Sequence, residues 1–164
     1  MSEPVFIAVI SGVFAIVAPI LTYVFTKLYK NRDFKVISQS RKVALDGSWS
    51  GDIFQTEGLD NQPLTYPVSI TLTVSKKEVI GTGEVDFPVS EVENHAFNIS
   101  LTGGFLHERF LKLDYKNTNL AAVQFGSSLL TLSSDGTKLN GRFLGYGAKT
   151  ERLVFGEIKL QKKT

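Results

Sequence analysis

Residues 4–26, PVFIAVISGVFAIVAPILTYVFT, run for 23 positions without one Asp, Glu, Lys or Arg, and this stretch constrains the chain more than any other. A helix needs roughly 20 apolar residues to cross the hydrocarbon core of a bilayer, about 30 Å thick. A secretory signal would need a basic start, a shorter apolar stretch and a small-residue cleavage site. Here the chain opens Met1-Ser2-Glu3, and the apolar run ends in Tyr23, Val24 and Phe25. The pattern predicts one retained transmembrane α-helix over 4–26.

Charge sets its direction. Lys27, Lys30, Arg32, Lys35, Arg41 and Lys42 follow the run against a single Asp33, and only Glu3 precedes it. Basic residues beside a span favour the cytoplasmic face, so the remainder of the chain is expected in the cytoplasm. Residues 27–42 read as a basic juxtamembrane linker that also touches anionic headgroups. Within the run, Ala8, Gly12, Ala15, Ala18 and Thr22 recur every three or four positions. Small side chains on one helical face let helices approach closely, which predicts a homo-oligomer packed through this helix. Pro19 is placed to kink it.

From about residue 43 the hydrophobic period falls from helical to two, with turn residues every 8–12 positions. Eight strands are expected, near 45–55, 66–76, 78–87, 96–105, 109–117, 120–132, 138–148 and 152–162. The second is the clearest, with Val68, Ile70, Leu72 and Val74 alternating against Ser69, Thr71, Thr73 and Ser75. Asp135-Gly136 supplies the turn of a tight hairpin, and Gly103-Gly104 is a comparable break. Eight short strands joined in sequence form an up-and-down meander that can close into a barrel without exposed edges. The predicted fold is therefore all-β over 43–164, preceded by the membrane helix. Gly81, Gly83, Gly141, Gly145 and Gly147 fall inside strands, where they suit a coiling wall or a ligand lying against the backbone.

Composition removes several functional classes. The net charge of +2 is misleading, because residues 1–42 hold 6 basic and 2 acidic side chains, leaving 12 and 14 for the β region. A slightly acidic domain is not the footprint of a DNA- or RNA-polymer binder. The chain has no cysteine, so disulfides, thiolate metal sites and a cysteine nucleophile are excluded. His95 and His107 lack the company a metal site or a triad requires. Gly81-Thr82-Gly83 has no following helix with which to cradle a phosphate. Glu84 and Asp86 lie two apart on a strand, as a solvated face would place them. No metal, cofactor or catalytic residue is expected, and the reading is of a binding protein rather than an enzyme. An eight-stranded cup is instead a small-molecule architecture.

At the first strand, Leu45-Asp46-Gly47-Ser48-Trp49-Ser50-Gly51 resembles the Gly-x-Trp opening of calycin barrels, in which the ring plugs one end. With Gly141-Arg142-Phe143-Leu144-Gly145-Tyr146-Gly147 and the order span, basic linker, barrel, the chain resembles the membrane-anchored β-barrel effectors of bacterial CD-NTase (CBASS-type) antiphage signalling. That resemblance implies a barrel that binds a cyclic nucleotide made by a partner synthase. It further implies inner-membrane helices that oligomerise and disrupt the bilayer. This chain carries one clear span where two are typical of the family. Under the resemblance, Arg109, Arg142 and Arg152 would meet phosphates, Tyr66, Tyr115 and Tyr146 would stack on bases, and Thr71 and Thr73 would hydrogen-bond in the lumen. The alternative is a membrane-anchored calycin-like domain for a lipid or other small apolar ligand. Strand phase alone leaves both open.

Overall fold

The computed structural model of the chain describes residues 15, 17–26, 34–57, 62–87, 95–106, 109–119, 123–147 and 150–163. It divides into two units, Met1–Asp33 and Phe34–Thr164.

In the first unit, residues 17–26 are helical and exposed. The Thr22 hydroxyl donates to the Ala18 carbonyl at 2.8 Å and the Thr26 hydroxyl to the Thr22 carbonyl at 2.7 Å. Each polar side chain thereby spends its donor on the helix's own backbone. Among the described residues no helix is long and apolar enough to cross a membrane. Of the expected packing face, Ala15, Ala18 and Thr22 lie on the described part, whereas Ala8 and Gly12 lie outside it with the rest of 4–14.

The second unit is an eight-stranded antiparallel barrel, β1 (Gly47–Gln55), β2 (Leu64–Val74), β3 (Val79–Phe87), β4 (His95–Leu106), β5 (Phe110–Asn117), β6 (Phe125–Leu132), β7 (Lys138–Gly147) and β8 (Arg152–Lys162). Each strand pairs with the next, and β1 pairs with β8 to close the ring. Period-two patterning decides what lines the interior. On β2, Tyr66, Val68, Ile70, Leu72 and Val74 point inward, while Thr65, Thr71 and Thr73 face out. On β5 the inward set is Leu111, Leu113, Tyr115 and Asn117.

Glycines permit the coiling that closure needs. A Cβ at Gly51 would stand 1.9 Å from the Lys159 carbonyl oxygen across the β1–β8 seam. Only a residue without a side chain fits there.

Residues 34–46, expected as linker and strand start, fold against one end of the barrel instead. The Lys35 amide donates to the Phe105 carbonyl and the Ile37 amide to the Lys76 carbonyl, both at 3.0 Å. A short helix, Gln39–Leu45, then covers the opening. Ser38 caps its start, accepting from the Arg41 amide, and the Asp46 amide returns to the Lys42 carbonyl at its end. Strand β1 begins only at Gly47, whose φ of +119° turns the chain out of the helix in a conformation that favours glycine.

Trp49 is fully buried beneath this helix, and its indole N–H donates to the Leu45 carbonyl at 2.9 Å. The Lys162 ammonium donates to the Val43 and Ala44 carbonyls at 3.0 and 2.6 Å and lies 5.7 Å from the Trp49 ring centroid. A helix end leaves carbonyls without intrahelical partners, and a cation there satisfies them while opposing the helix dipole. The Gly-x-Trp ring thus plugs one end, as the resemblance implied.

Candidate functional site

With one end stoppered by Trp49, Leu45 and Phe105, the lumen has its polar groups toward the other. The wall is apolar for most of its depth, contributed by Ile53, Val68, Ile70, Val85, Ile99 and Leu101. These surround a cavity of about 60 Å³ whose lining also includes Tyr66, Tyr115, Gln124 and Ser128. A second cavity of about 30 Å³ shares Tyr66, Tyr115, Gln124 and Phe143 and continues to Tyr146, Gly147 and Thr150 at the strand ends. Both are well below the ~300–1,000 Å³ of ordinary small-molecule pockets. A ligand larger than a few water molecules enters only as side chains move aside.

Two phenols dominate this region. The Tyr66 hydroxyl donates to Gln55 Oε1 at 3.2 Å, and Gln55 Nε2 donates onward to the Glu57 carbonyl. Burial pushes the Tyr66 phenol well above its ordinary range, with the neighbouring Tyr115 adding to the effect. Burial alone pushes Tyr115 up to about 12. Each side chain therefore stays neutral and keeps an O–H to offer at physiological pH.

Tyr115 lies along the inner wall, over Gly126 of the adjacent strand β6 and Gly145 of β7. A Cβ at Gly145 would stand 2.0 Å from the Tyr115 hydroxyl oxygen, and one at Gly126 would stand 2.6 Å from it. The two glycines face each other in the β6–β7 register. They leave room for the phenol to lie flat against the wall.

The remaining inward polar groups complete a small network. Ser128 Oγ donates to the Leu113 carbonyl at 3.2 Å, and Asn117 Nδ2 donates to Gln124 Oε1 at 3.4 Å. Asn117 Oδ1 in turn accepts the Asn119 amide at 2.8 Å. Gln55, Asn117, Gln124 and Ser128 were not anticipated from sequence. The signal for three of them was present: Gln55 follows Trp49 and Ile53 on the inward phase of β1, Asn117 follows Tyr115 on β5, and Ser128 precedes Leu130 on β6.

The residues proposed from sequence are spread over the barrel. Tyr66 and Tyr115 come together in the lumen, whereas Tyr146 only borders the smaller cavity, its ring on the outer phase of β7 and stacked on exposed Phe125 at 6.0 Å between centroids. Arg152 starts β8 at this same open end, opposite Gly147. Arg142 lies on the outer phase of β7, opposite Glu157 and Leu129. Arg109 is exposed beside the stoppered end, lining an open groove of about 600 Å³ with Arg41, Phe105 and Asp135. Thr71 and Thr73 face outward, Thr71 sharing a hydroxyl contact with Ser48 at 3.2 Å. Tyr66 and Tyr115 are thus the two whose side chains enter the main cavity. His95 opens β4, and His107 lies outside the described residues. Among the described residues, no group of three or more His, Cys, Asp or Glu could hold a metal ion.

These features define a closed eight-stranded antiparallel barrel with one stoppered end and a phenol-lined lumen. No family model and no curated protein matches the chain. Among solved structures it is similar to EF1p2_mFAP2b bound to DFHBI, with a TM-score of 0.59 and 15% identity over 77% of this chain and 100% of that one. It is also similar to the redesigned β-barrel b11L5F_LGL, with a TM-score of 0.57 and 13% identity over 79% of this chain and 100% of that one. At such identities the likeness shows the fold.

Proposed function

We propose that the chain is a non-enzymatic binding protein whose barrel takes a small, largely apolar molecule into the lumen, with the 4–26 segment anchoring it in a membrane. The observation that carries this reading is the pair of buried, neutral phenols, Tyr66 and Tyr115, in an otherwise apolar cup. An apolar wall supplies affinity without direction, and a few placed donors supply orientation. Tyr66 and Gln55 could exchange their bond with one another for bonds to a carbonyl, hydroxyl or carboxyl on the ligand. EF1p2_mFAP2b, solved bound to DFHBI, supports the use of such a barrel as a container.

A second reading keeps the cyclic oligonucleotide of the antiphage effectors as ligand and the membrane helix as the element that assembles and disrupts the inner membrane. It is favoured by the uncharged run and by Arg152 and Tyr146 at the open end. The two readings differ in where the ligand sits. Phosphates need cations, and Arg109 and Arg142 are placed away from the lumen.

The test is a thermal-unfolding series on the full chain in lipid nanodiscs with indole, octanoic acid or cyclic di-AMP. A ligand bound only by the folded state stabilises it by RT ln(1+[L]/Kd), or about 2.7 kcal/mol at a hundred times Kd. A midpoint raised by indole or octanoate, and lost in the Tyr66→Phe/Tyr115→Phe double variant, supports the lumen reading. A rise with cyclic di-AMP alone replaces it with the second.

A further inference from the structure

The outer wall of the barrel is not uniform. Over β2, β3 and β4 it is mainly polar, presenting Thr65, Ser69, Thr71, Thr82, Asn98 and Thr102 with the carboxylates Glu84 and Asp86, and Ile80 as its large apolar side chain. Over β6, β7 and β8 it presents large apolar side chains, with Phe125 54%, Leu144 55%, Leu153 68% and Phe155 48% exposed. Register makes these one patch. Phe125 pairs with Tyr146 and Tyr146 with Leu153 in one row, while Leu144 pairs with Phe155 in the next. Leu129 and Phe54 flank the next row, with Arg142 and Glu157 between them.

Side chains of this size at about half exposure leave on the order of 500 Å² of apolar surface in one place, as much as the largest patch of a typical monomer.

We propose that this β6–β8 wall is a self-association surface, on which a second copy of the chain packs face to face. The edges of the patch favour a copy over a charged partner or an anionic bilayer. On the β5 side Lys112 is paired with Asp114 at 3.0 Å, and Ser127 also bonds Asp114. On the β8 side Lys159 is paired with Glu157 at 3.4 Å and lies 4.8 Å from the Phe54 ring centroid. With Lys116 beside Phe125 and Arg142 opposite Glu157, the rim carries both signs, which suits a copy of itself better than a surface of one sign.

An apolar centre with a polar rim is the anatomy of a protein interface, and a two-fold axis along β8 brings Leu153 of each copy close to its counterpart. Ring closure leaves no strand edge for pairing, so association runs through side chains. About 500 Å² from each copy gives a total near the ~1,000 Å² needed for a specific contact. The pairing is accordingly weak and reversible, and it strengthens when copies are held at high local concentration. The inference is independent of what the lumen binds.

The chain's lack of cysteine makes the test direct. Leu153→Cys on the apolar wall and Thr71→Cys on the hydroxyl wall are each introduced into the full chain, reconstituted in phosphatidylcholine vesicles and oxidised with copper phenanthroline. The expected result is disulfide-linked dimer at position 153 and little at 71, falling about tenfold when Leu144→Asp removes an apolar anchor. Leu144 is exposed, so the circular dichroism melt of that variant should match the parent.

Equal cross-linking at both positions, as helix-driven clustering alone would give, overturns the proposal. So does its absence at 153, or dimer at 153 that is indifferent to Leu144→Asp.

Discussion

At the stoppered end, Leu45, Trp49 and Phe105 are sealed to 2% exposure or less, and the indole N–H and the Lys162 ammonium are matched to backbone carbonyls of the covering helix. At the open end, Gln55, Tyr66, Asn117 and Gln124 are matched to one another by side-chain bonds of 3.2 and 3.4 Å. Both arrangements satisfy buried polar groups, as folding requires. They differ in what can replace them. A bond to a fixed carbonyl holds the fold together, whereas a bond between two side chains can be traded for one to a ligand at little net cost. The same strands thus carry fixed bonds at one end and exchangeable ones at the other.

The comparison breaks first at Trp49. Trp49→Ala should cost about 3–5 kcal/mol, since it empties a large buried site and strands the Leu45 carbonyl. Urea denaturation measures it, and a loss below about 1 kcal/mol would show that the stopper is not where stability resides. Next comes Gly145→Ala, which drives a Cβ into the Tyr115 hydroxyl and should cost about 1–3 kcal/mol. Combining it with Tyr115→Phe should recover part of that loss, and a double-mutant cycle reads the coupling directly.

Tyr66→Phe sharpens the contrast. Stability should fall by only about 0.5–1.5 kcal/mol, while the midpoint rise given by indole or octanoate shrinks. The smallest effect belongs to Asp135 in the β6–β7 turn. Hydrogen bonds from Ser133 and then Thr137 hold its carboxyl down at about 2. Because the folded value lies below the unfolded one, near 3.9, the contribution is present above about pH 4 and is lost as pH falls through 2. Melts of the parent and of Asp135→Asn should diverge above that window and converge below it.

Much of the barrel was legible because each strand carries its own signal. Alternation on β2 and the Asp135-Gly136 turn need no distant partner to be read, and the expected limits of β7 and β8 lie within a residue of those found. The Gln39–Leu45 helix was not legible, because a seven-residue helix rich in Arg and Lys looks like linker until Trp49 and the barrel end give it something to cover. The lumen was half legible. Tyr66 and Tyr115 can be chosen as aromatics, but which side of a strand faces inward is fixed only when eight registers close together. That is why Thr71 and Arg142 could be named for a lumen whose walls point them outward.

Ring closure has a kinetic consequence. Seven of the strand pairings join neighbours in sequence, and only β1 with β8 brings together distant parts, Trp49 opposite Lys162. Local hairpins form early because little chain entropy opposes them, while the last seam must draw the two ends of the meander together. Until it does, β1 and β8 are the two open edges of an otherwise complete sheet, each able to pair with another chain. The seam that completes the cup is therefore also the step at which folding competes with aggregation. Gly51, pressed against the Lys159 carbonyl, stands where the two outcomes divide.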